Sequence, residues 1–228
     1  MKKTMNLLDK NVLITGAAGC LGREVTRVAK AQGAKVILLD LGFPQAMADS
    51  EITVELNLTD AEAVKRALAD IDVVDAVINV AGGFDMGPAL YEVSQVDWDK
   101  MFALNVVTAK NMIAACLPKM LQRGRGAVIN VGAAAALSGA GNMSAYCSSK
   151  SVVMNMTQSL SEEVKHQGIN VNAVLPSVID TPTNRAAMPD ANFSEWVSPE
   201  QLANVMCFLI SDLARGIHGA LIPVRGLS

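Results

Sequence analysis

The sequence has few cysteines, and their spacing argues against a cross-linked or metal-bound chain. Only four occur among 228 residues, and they are scattered, with no C-x-x-C pair: Cys20, Cys116, Cys147 and Cys207. A disulfide framework or a structural zinc site needs cysteines in recognisable pairs. We therefore expect reduced thiols, a cytoplasmic protein and no bound metal.

The sequence also lacks an excess of charge of one sign. Nineteen Lys and Arg residues stand against 22 Asp and Glu residues, for a formal net charge of −3, so nothing favours nucleic acid or an anionic membrane. The basic start, residues 1–4, is followed by polar and charged residues rather than by the apolar stretch of a signal peptide. No apolar run is expected to be long enough to cross a bilayer. The sequence thus predicts neither nucleic acid nor a membrane as a partner.

Apolar, β-rich runs alternate with segments of helical periodicity along the whole chain. The predicted strands lie at 11–14, 35–39, 52–56, 73–80, 127–131, 169–175 and 220–224, and the predicted helices at 23–32, 60–70, 95–123, 143–166 and 199–213. Such alternation implies parallel strands joined by right-handed crossovers. We expect a single α/β domain over residues 1–228, with a doubly wound parallel sheet of about seven strands and helices on both faces. Residues 176–197, which are rich in proline, are predicted to form an irregular substrate loop.

A glycine-rich turn joins the first predicted strand to the first predicted helix. It runs Thr15-Gly16-Ala17-Ala18-Gly19-Cys20-Leu21-Gly22. Glycines permit a tight turn and the close approach of a pyrophosphate, whose charge is stabilised at the helix N-terminus. The glycines are three residues apart rather than in G-x-G-x-x-G order, so a tight turn without a ligand stays open. The strand–turn–helix context favours a dinucleotide site in a Rossmann-type fold, formed here by Gly16, Gly19, Cys20, Leu21 and Gly22.

An acidic residue ends the second predicted strand. Asp40 lies about 20 residues beyond the glycine turn, where a carboxylate accepts hydrogen bonds from the adenosine ribose. No Lys or Arg stands close to it in sequence to receive a 2′-phosphate. The sequence therefore predicts NAD(H) as the cofactor, in preference to NADP(H).

A phenol and an ammonium group lie four residues apart in Tyr146-Cys147-Ser148-Ser149-Lys150. On a helix this spacing places both side chains on one face. A lysine held near a tyrosine favours the phenolate, so we expect Lys150 to lower the pKa of Tyr146. A phenol poised in this way can exchange a proton with a substrate.

Together these motifs resemble the short-chain dehydrogenase/reductase family over nearly the whole chain. Asn79-Val80-Ala81-Gly82 is similar to its N-N-A-G segment, and residues 176–181 are similar to its P-G-x-x-x-T segment. The resemblance implies an NAD(P)-dependent oxidoreductase that acts on a small molecule and forms homodimers or homotetramers. It implies Tyr146, Lys150 and Asn105 as catalytic residues, with Asn105 holding a water in a proton relay. It also implies that Tyr146 and Lys150 contact the cofactor, together with Asn57, Leu58, Asn79, Ala81, Gly82, Pro176, Val178, Ile179 and Thr181.

One residue that the resemblance leads us to expect is missing. The family usually carries a serine thirteen positions before the tyrosine, where this chain has Ala133. That serine donates a hydrogen bond to the substrate oxygen, and the loss of such a donor can cost several kcal/mol of transition-state stabilisation. Ser138 is nearby but out of register. Either the substrate does not need the donor, or the enzyme is weak.

A narrower resemblance bears on this choice. The pattern from Asp180 to Trp196 and the alanine at position 133 are similar to the quinonoid dihydropteridine reductase branch of the family. Ala81-Gly82-Gly83 also matches, although Phe84 follows where that branch has tryptophan. The resemblance implies that Ala133, Phe84 and Trp196 face the substrate. Two alternatives stay open: a carbonyl reductase or alcohol dehydrogenase of the same family, and a non-catalytic nucleotide-binding protein.

Overall fold

A computed structural model describes residues 6–49 and 51–228. Seven strands form one sheet in which every pairing is parallel, in the order β3-β2-β1-β4-β5-β6-β7. The strands are β1 Asn11–Thr15, β2 Lys35–Asp40, β3 Ile52–Glu55, β4 Ala76–Asn79, β5 Gly126–Val131, β6 Ile169–Pro176 and β7 Leu221–Val224. The predicted doubly wound sheet is therefore confirmed, with β4 beginning three residues later than expected.

Within the described residues, eight α-helices connect the strands. They are α1 Cys20–Ala31, α2 Gln45–Ala48, α3 Ala61–Ala67, α4 Gln95–Phe102, α5 Thr108–Arg123, α6 Ser144–Val164, α7 Pro182–Ala187 and α8 Pro199–Leu209. Several begin where sequence chemistry fixes them: the Asp60 side chain accepts a hydrogen bond from Ala63 N, and Ser198 and Gln201 form a reciprocal capping box with Pro199 at the first helical position.

The strand residues alternate between the two apolar faces of the sheet. Val12 and Ile14 of β1 pack with α1 and α8, whereas Leu13 packs on the other face with α3 and α5. The strand β1 lies between β2 and β4, so the chain order reverses at this point of the sheet. Crevices at such a reversal, outside the carboxyl ends of the strands, are the usual place for a ligand in an open α/β sheet.

The helical segment 95–123 is continuous but not uniform. Residues Ala103–Val107 form a π-helical turn between α4 and α5, and Pro118 lies inside α5 without ending it. By length and composition alone this helix could cross a membrane, contrary to the expectation that no apolar run is long enough. Its apolar residues Met112, Cys116 and Met120 are fully buried against the sheet, and this packing accounts for its hydropathy.

The segment 176–197 is more regular than its prolines predicted. It contains α7 and a single 3₁₀ turn, Phe193–Glu195. Thr181 accepts a hydrogen bond from Asn184 N at 3.2 Å, and Pro182 occupies the first turn of α7. A threonine cap followed by proline is a local helix-start signal, so the expectation of an irregular loop was wrong for this stretch.

Candidate active site

The glycine turn closes tightly against the end of β4. Gly16 has a positive φ of 62°, and a Cβ there would lie 2.8 Å from Ala81 N. A Cβ at Gly22 would lie 2.1 Å from the Gly16 carbonyl oxygen. Gly19 precedes α1 and has no side chain to cap it, so the first N–H groups of α1 stay available to an anion. These glycines therefore fit the cradle of a dinucleotide pyrophosphate.

Asp40 braces this turn. Its Oδ2 accepts a hydrogen bond from Ala18 N at 2.9 Å, and its Oδ1 accepts one from Leu41 N at 2.7 Å. A carboxylate has about four acceptor positions, so two remain for ribose hydroxyls. A cation also lies at this turn: the exposed Arg23 donates from Nε to the Ala18 carbonyl at 2.7 Å. Arg23 is far from Asp40 in sequence, so the expectation that no Lys or Arg stands close to Asp40 did not include it; the two side chains come together because both bond to the Ala18 backbone.

The residues predicted near the adenosine occupy the neighbouring strand ends. Asn57 Oδ1 accepts hydrogen bonds from Thr59 N at 3.0 Å and from Thr59 Oγ1 at 2.8 Å, and Leu58 is buried. Asn79 donates to Asn130 Oδ1 at 2.9 Å, and Ala81 N donates to Thr15 Oγ1 at 3.0 Å. These hydrogen bonds hold the residues at the strand ends in place. Whether Asn57, Leu58 and Asn79 also touch adenosine stays a prediction.

Lys150 is buried beneath the crevice on α6. Its Nζ donates to the Val131 carbonyl at 2.8 Å, and a Cβ at Gly82 would lie 3.3 Å from Nζ. The same Cβ would lie 2.7 Å from Asn105 Oδ1, so a glycine at position 82 leaves space first for the Asn105 amide and also for the ammonium group. Burial lowers the pKa of Lys150 to about 8, because a charged amine loses its hydration.

Tyr146 lies one helical turn before Lys150 and is mostly buried. Burial raises its pKa to about 12, with a smaller contribution from the neighbouring Cys147. The expectation that Lys150 lowers the pKa of this phenol was wrong for the structure, because desolvation dominates and the Lys150 Nζ is bonded to Val131. At neutral pH Tyr146 is therefore a neutral phenol, which is the form that donates a proton.

Asn105 clamps the catalytic helix to the loop after β4. Its Oδ1 accepts from Gly83 N at 3.0 Å, and its Nδ2 donates to the Gly83 carbonyl at 3.1 Å and to Ser149 Oγ at 3.0 Å. Ser149 Oγ in turn donates to the Tyr146 carbonyl at 2.7 Å. Sequence reasoning missed Ser149, although it stands inside the Tyr146–Lys150 motif. The role of Asn105 in holding a water stays a prediction, since its side chain is engaged by protein groups.

Two of the three residues predicted on the substrate side, Phe84 and Ala133, lie beside Tyr146. The Phe84 ring meets the Tyr146 ring edge-on, with centroids 5.0 Å apart at 82°. Ala133 is buried at 3% exposure in an apolar cluster with Met154 and Leu175, on which Tyr146 packs. Ser138, which is out of register with the family's serine, follows the 3₁₀ turn Ala134–Leu137 and is exposed.

The segment 176–197 is held by its own side chains. Arg185 forms two hydrogen bonds with Asp180, at 2.6 and 2.7 Å, and lies 4.8 Å from the Phe193 ring centroid. Phe193 packs against Trp196, whose side chain is 9% exposed. The contact predicted between Trp196 and substrate therefore stays a prediction, because this ring has a packing role of its own.

The residues predicted at the nicotinamide end form the root of that segment. Pro176 ends β6, and Ile179 forms a parallel bridge with Val197. The Val178 carbonyl accepts from Val197 N, and the Thr181 hydroxyl caps α7. These bonds fix where residues 176–181 leave the sheet; their contacts with a nicotinamide stay predictions. Across residues 6–49 and 51–228 no group of three or more His, Cys, Asp or Glu side chains could hold a metal ion.

Comparison with known proteins agrees with this geometry. A family model described as short chain dehydrogenase matches residues 10–192. A sorbitol dehydrogenase of Cereibacter sphaeroides is 33% identical over 187 residues, 77% of this chain and 73% of its own. A short chain dehydrogenase of Penicillium brasilianum, ausX, is 28% identical over 96% of both chains.

Solved structures share the architecture. An oxidoreductase of the short chain dehydrogenase/reductase family from Burkholderia thailandensis superposes with a TM-score of 0.86 at 30% identity, covering 96% of this chain and 92% of its own. A putative NAD(P)-dependent gluconate 5-dehydrogenase from Beutenbergia cavernae, with bound NADP at low occupancy, gives a TM-score of 0.89 at 26% identity and 97% coverage of both chains.

Proposed function

The chain belongs to the short-chain dehydrogenase family and is an NAD(P)-dependent oxidoreductase, and on that premise we propose that it uses NADH to reduce a flat, conjugated acceptor such as a quinonoid dihydropterin. The observation that carries the proposal is the apolar wall beside Tyr146. Ala133 is buried there where the family's serine would donate a hydrogen bond, and Phe84 packs on the phenol. A conjugated acceptor of this kind is strongly oxidising and needs less polarisation than a ketone.

Each catalytic residue has one role in this proposal. When bound, NADH supplies the hydride. Tyr146 donates the matching proton from its hydroxyl oxygen, for which its raised pKa keeps it protonated at neutral pH. Lys150 holds the nicotinamide ribose hydroxyls, and Asn105 keeps α6 and Gly83 in register with each other.

The choice of NADH rests on Asp40. Its carboxylate repels a 2′-phosphate and still has acceptor positions for ribose hydroxyls. Two observations argue for NADP(H) instead: Arg23 is a cation at the same turn, and the Beutenbergia cavernae structure holds NADP. A cytoplasmic location is part of the proposal as well, because Cys116, Cys147 and Cys207 are buried free thiols.

Restoring the serine tests the substrate. The activities of wild type and Ala133→Ser should be compared on quinonoid dihydropterin and on a panel of ketones, with Ala134→Ser as the neighbouring control. A substrate that needs no donor at this position gains nothing from Ala133→Ser, and loses activity if the added oxygen crowds the ring. No wild-type activity on the pterin, with a large gain on a ketone, would overturn the pterin assignment.

A second function is favoured by the relatives. The sorbitol dehydrogenase of Cereibacter sphaeroides is named for an alcohol substrate, so a carbonyl reductase or alcohol dehydrogenase is the alternative that the ketone panel tests. The third alternative is a non-catalytic nucleotide-binding protein. Oxidation of NADH with any acceptor on the panel would exclude this alternative.

A further inference from the structure

The helix α6, which carries Tyr146, faces the sheet with a stripe that includes its catalytic lysine. Lys150, Met154 and Thr157 stand at positions i, i+4 and i+7, so they lie on one side of the helix. All three are buried, at 6%, 7% and 0% exposure. Lys150 and Thr157 are two helical turns apart, a distance of about 10.5 Å along the helix axis.

Two side-chain hydrogen bonds join this stripe directly to the sheet within residues 6–49 and 51–228. The Val131 carbonyl accepts from Lys150 Nζ at 2.8 Å, and Asn130 Nδ2 donates to Thr157 Oγ1 at 2.9 Å. Asn130 and Val131 are neighbours on β5. The helix is therefore attached at two points of one face to adjacent residues of one strand, and the second attachment uses no catalytic residue.

The packing between these two attachments is close and apolar. Gly132 follows β5, and a Cβ there would lie 3.0 Å from Met154 Cγ and 2.4 Å from Leu175 Cδ2. The missing side chain lets α6 come close to the strand. Apolar packing is not directional, so it draws the helix onto the sheet without fixing its position along the strand. Hydrogen bonds have a preferred distance and angle, and the two attachments supply that information.

The bond between Asn130 and Thr157 is part of a buried chain of hydrogen bonds. Asn79 Nδ2 donates to Asn130 Oδ1 at 2.9 Å, and Thr157 Oγ1 donates to the Val153 carbonyl at 2.8 Å. Asn130 and Thr157 are fully buried, and Asn79 is 4% exposed. Asn79 Oδ1 has no hydrogen-bond partner within the described residues, and an unpaired buried acceptor costs stability. Stability alone therefore does not account for this chain.

We propose that Asn130 and Thr157 are positioning residues: their hydrogen bond fixes the register of α6 on β5 and so holds Lys150 where the nicotinamide ribose binds. They act only through Lys150 and Tyr146, which are the residues that touch cofactor and substrate. The inference rests on the proposed function, which assigns those two residues their roles. A displacement of about 1 Å at the reacting groups can cost about 10²-fold in rate, so a small shift of α6 is enough to be measured.

The first experiment measures NADH affinity without turnover. Thr157→Val keeps the shape of the side chain and removes the hydroxyl, and it should raise the Kd for NADH by about 10-fold in a fluorescence titration of the full chain. Thr157→Ser restores the hydroxyl and should return the Kd to the wild-type value. Ser161→Ala is the matched control, because Ser161 is one turn further along the same face, fully buried, and its hydroxyl has no partner within the described residues.

The second experiment separates positioning from stability. With NADH and the best acceptor of the panel, Thr157→Val should lower kcat by about 10-fold and leave the KM of the acceptor nearly unchanged. Ile210→Val removes a buried methyl group on the opposite face of the sheet. It should lower the melting temperature and leave kcat and the Kd for NADH as they are. All rates are measured well below the melting temperature of each variant.

The outcomes distinguish this inference from the proposed function. A rise in the Kd for NADH that Thr157→Ser reverses, in a protein that turns over no acceptor, would support the positioning role and reject the reductase function. A Thr157→Val enzyme with a lower melting temperature but wild-type Kd and kcat would overturn the positioning role and leave the reductase intact. Equal losses of NADH affinity in Thr157→Val and Ser161→Ala would also overturn it. If Thr157→Val does not fold, Thr157→Ala leaves room for a water at Asn130 Nδ2 and should show the same rise in Kd.

Discussion

At the scale of single residues, the catalytic pair is governed by burial. Burial shifts both pKa values in the direction that favours the neutral form. The pKa of Tyr146 is raised to about 12, and the pKa of Lys150 is lowered to about 8. The protein thereby keeps a proton on the phenol over the whole physiological range. Lys150 is a cation below about pH 8 and becomes a neutral amine above it.

The lowered pKa of Lys150 predicts a pH-dependent stability. Below about pH 8 the lysine is charged in both states, and folding carries the full cost of burying that charge. Between about pH 8 and pH 10.5 the folded state loses the proton while the unfolded state keeps it, so the cost is relieved as pH rises. Relative to Lys150→Met, wild type should therefore gain up to about 3 kcal/mol of unfolding free energy across this window. Urea unfolding at several pH values checks this, with the exposed Lys110→Met as control; parallel profiles for wild type and Lys150→Met would contradict it.

The position of Asp40 predicts the cofactor preference. Wild type should have a higher kcat/KM with NADH than with NADPH, and Asp40→Asn should narrow the ratio by about 10-fold, mainly by improving NADPH, because the repelling charge is gone. Steady-state kinetics with both cofactors measure this. Equal use of the two by wild type would show that Arg23 outweighs the carboxylate.

At the scale of elements, the features that local sequence determines were predictable and those made by distant partners were not. Two features depend on only a few neighbouring residues: the glycine turn from Gly16 to Gly22, and the pair Tyr146 and Lys150 on α6. The sequence therefore predicted the position of both correctly. The bonds of Asn105 to Gly83 and Ser149 join segments 22 and 44 residues away. The same holds for the bond from Lys150 to Val131 and for the burial that raises, rather than lowers, the pKa of Tyr146. The helix α7 is a local feature that was not predicted. Thr181 and Pro182 are a helix-start signal, but the high proline content of the segment favoured an irregular loop instead.

Within the segment 176–197, the residues from about Thr181 to Trp196 are expected to act as a mobile cover over the nicotinamide and the substrate. The contacts of Arg185 with Asp180 and Phe193 stabilise it. Arg185→Met should raise KM several-fold and speed proteolysis within the segment. The melting temperature should hardly change, because an exposed ion pair contributes little to the stability of the folded protein. Limited proteolysis with and without NADH is the measurement. Arg215→Met, which breaks a comparable pair with Asp212 outside the segment, is the control. Cleavage no faster than in the sheet, with or without NADH, would rule out a cover.

At the scale of the whole molecule, the surface expected to form an oligomer interface is narrower than its sequence suggested. Seven apolar residues of α5 and α6 are expected from the sequence to supply more apolar surface than one sheet face covers: Met112, Ile113, Cys116, Val152, Val153, Met156 and Leu160. Of these, Met112, Ile113, Cys116 and Val153 are buried in the subunit's own core. That part of the expectation was wrong, because these side chains cover the sheet. The remaining three, Val152, Met156 and Leu160, are half-buried and follow one another at intervals of four residues along α6. They form a partly exposed stripe along the helix that carries Tyr146, and Met156 and Leu160 also pack against the subunit's own core.

This stripe predicts a homodimer or homotetramer, since apolar faces of this kind are commonly closed by symmetric assembly. Analytical ultracentrifugation at micromolar concentration should show an assembly for wild type and a smaller species for Met156→Lys. Leu213→Lys, which alters a partly exposed apolar residue elsewhere, should leave the assembly unchanged. A wild-type monomer would refute the prediction.

The most direct test of the account is the oxidation of NADH with quinonoid dihydropterin as acceptor, measured for wild type and Tyr146→Phe together with the NADH affinity of each. The variant keeps the ring that packs on Phe84 and loses only the hydroxyl. We predict turnover by wild type, a loss of about 10²- to 10⁴-fold in kcat for Tyr146→Phe, and an NADH affinity that stays close to that of wild type. A Tyr146→Phe enzyme that turns over its best acceptor at a near-normal kcat would show that the proton comes from elsewhere, and would contradict the account.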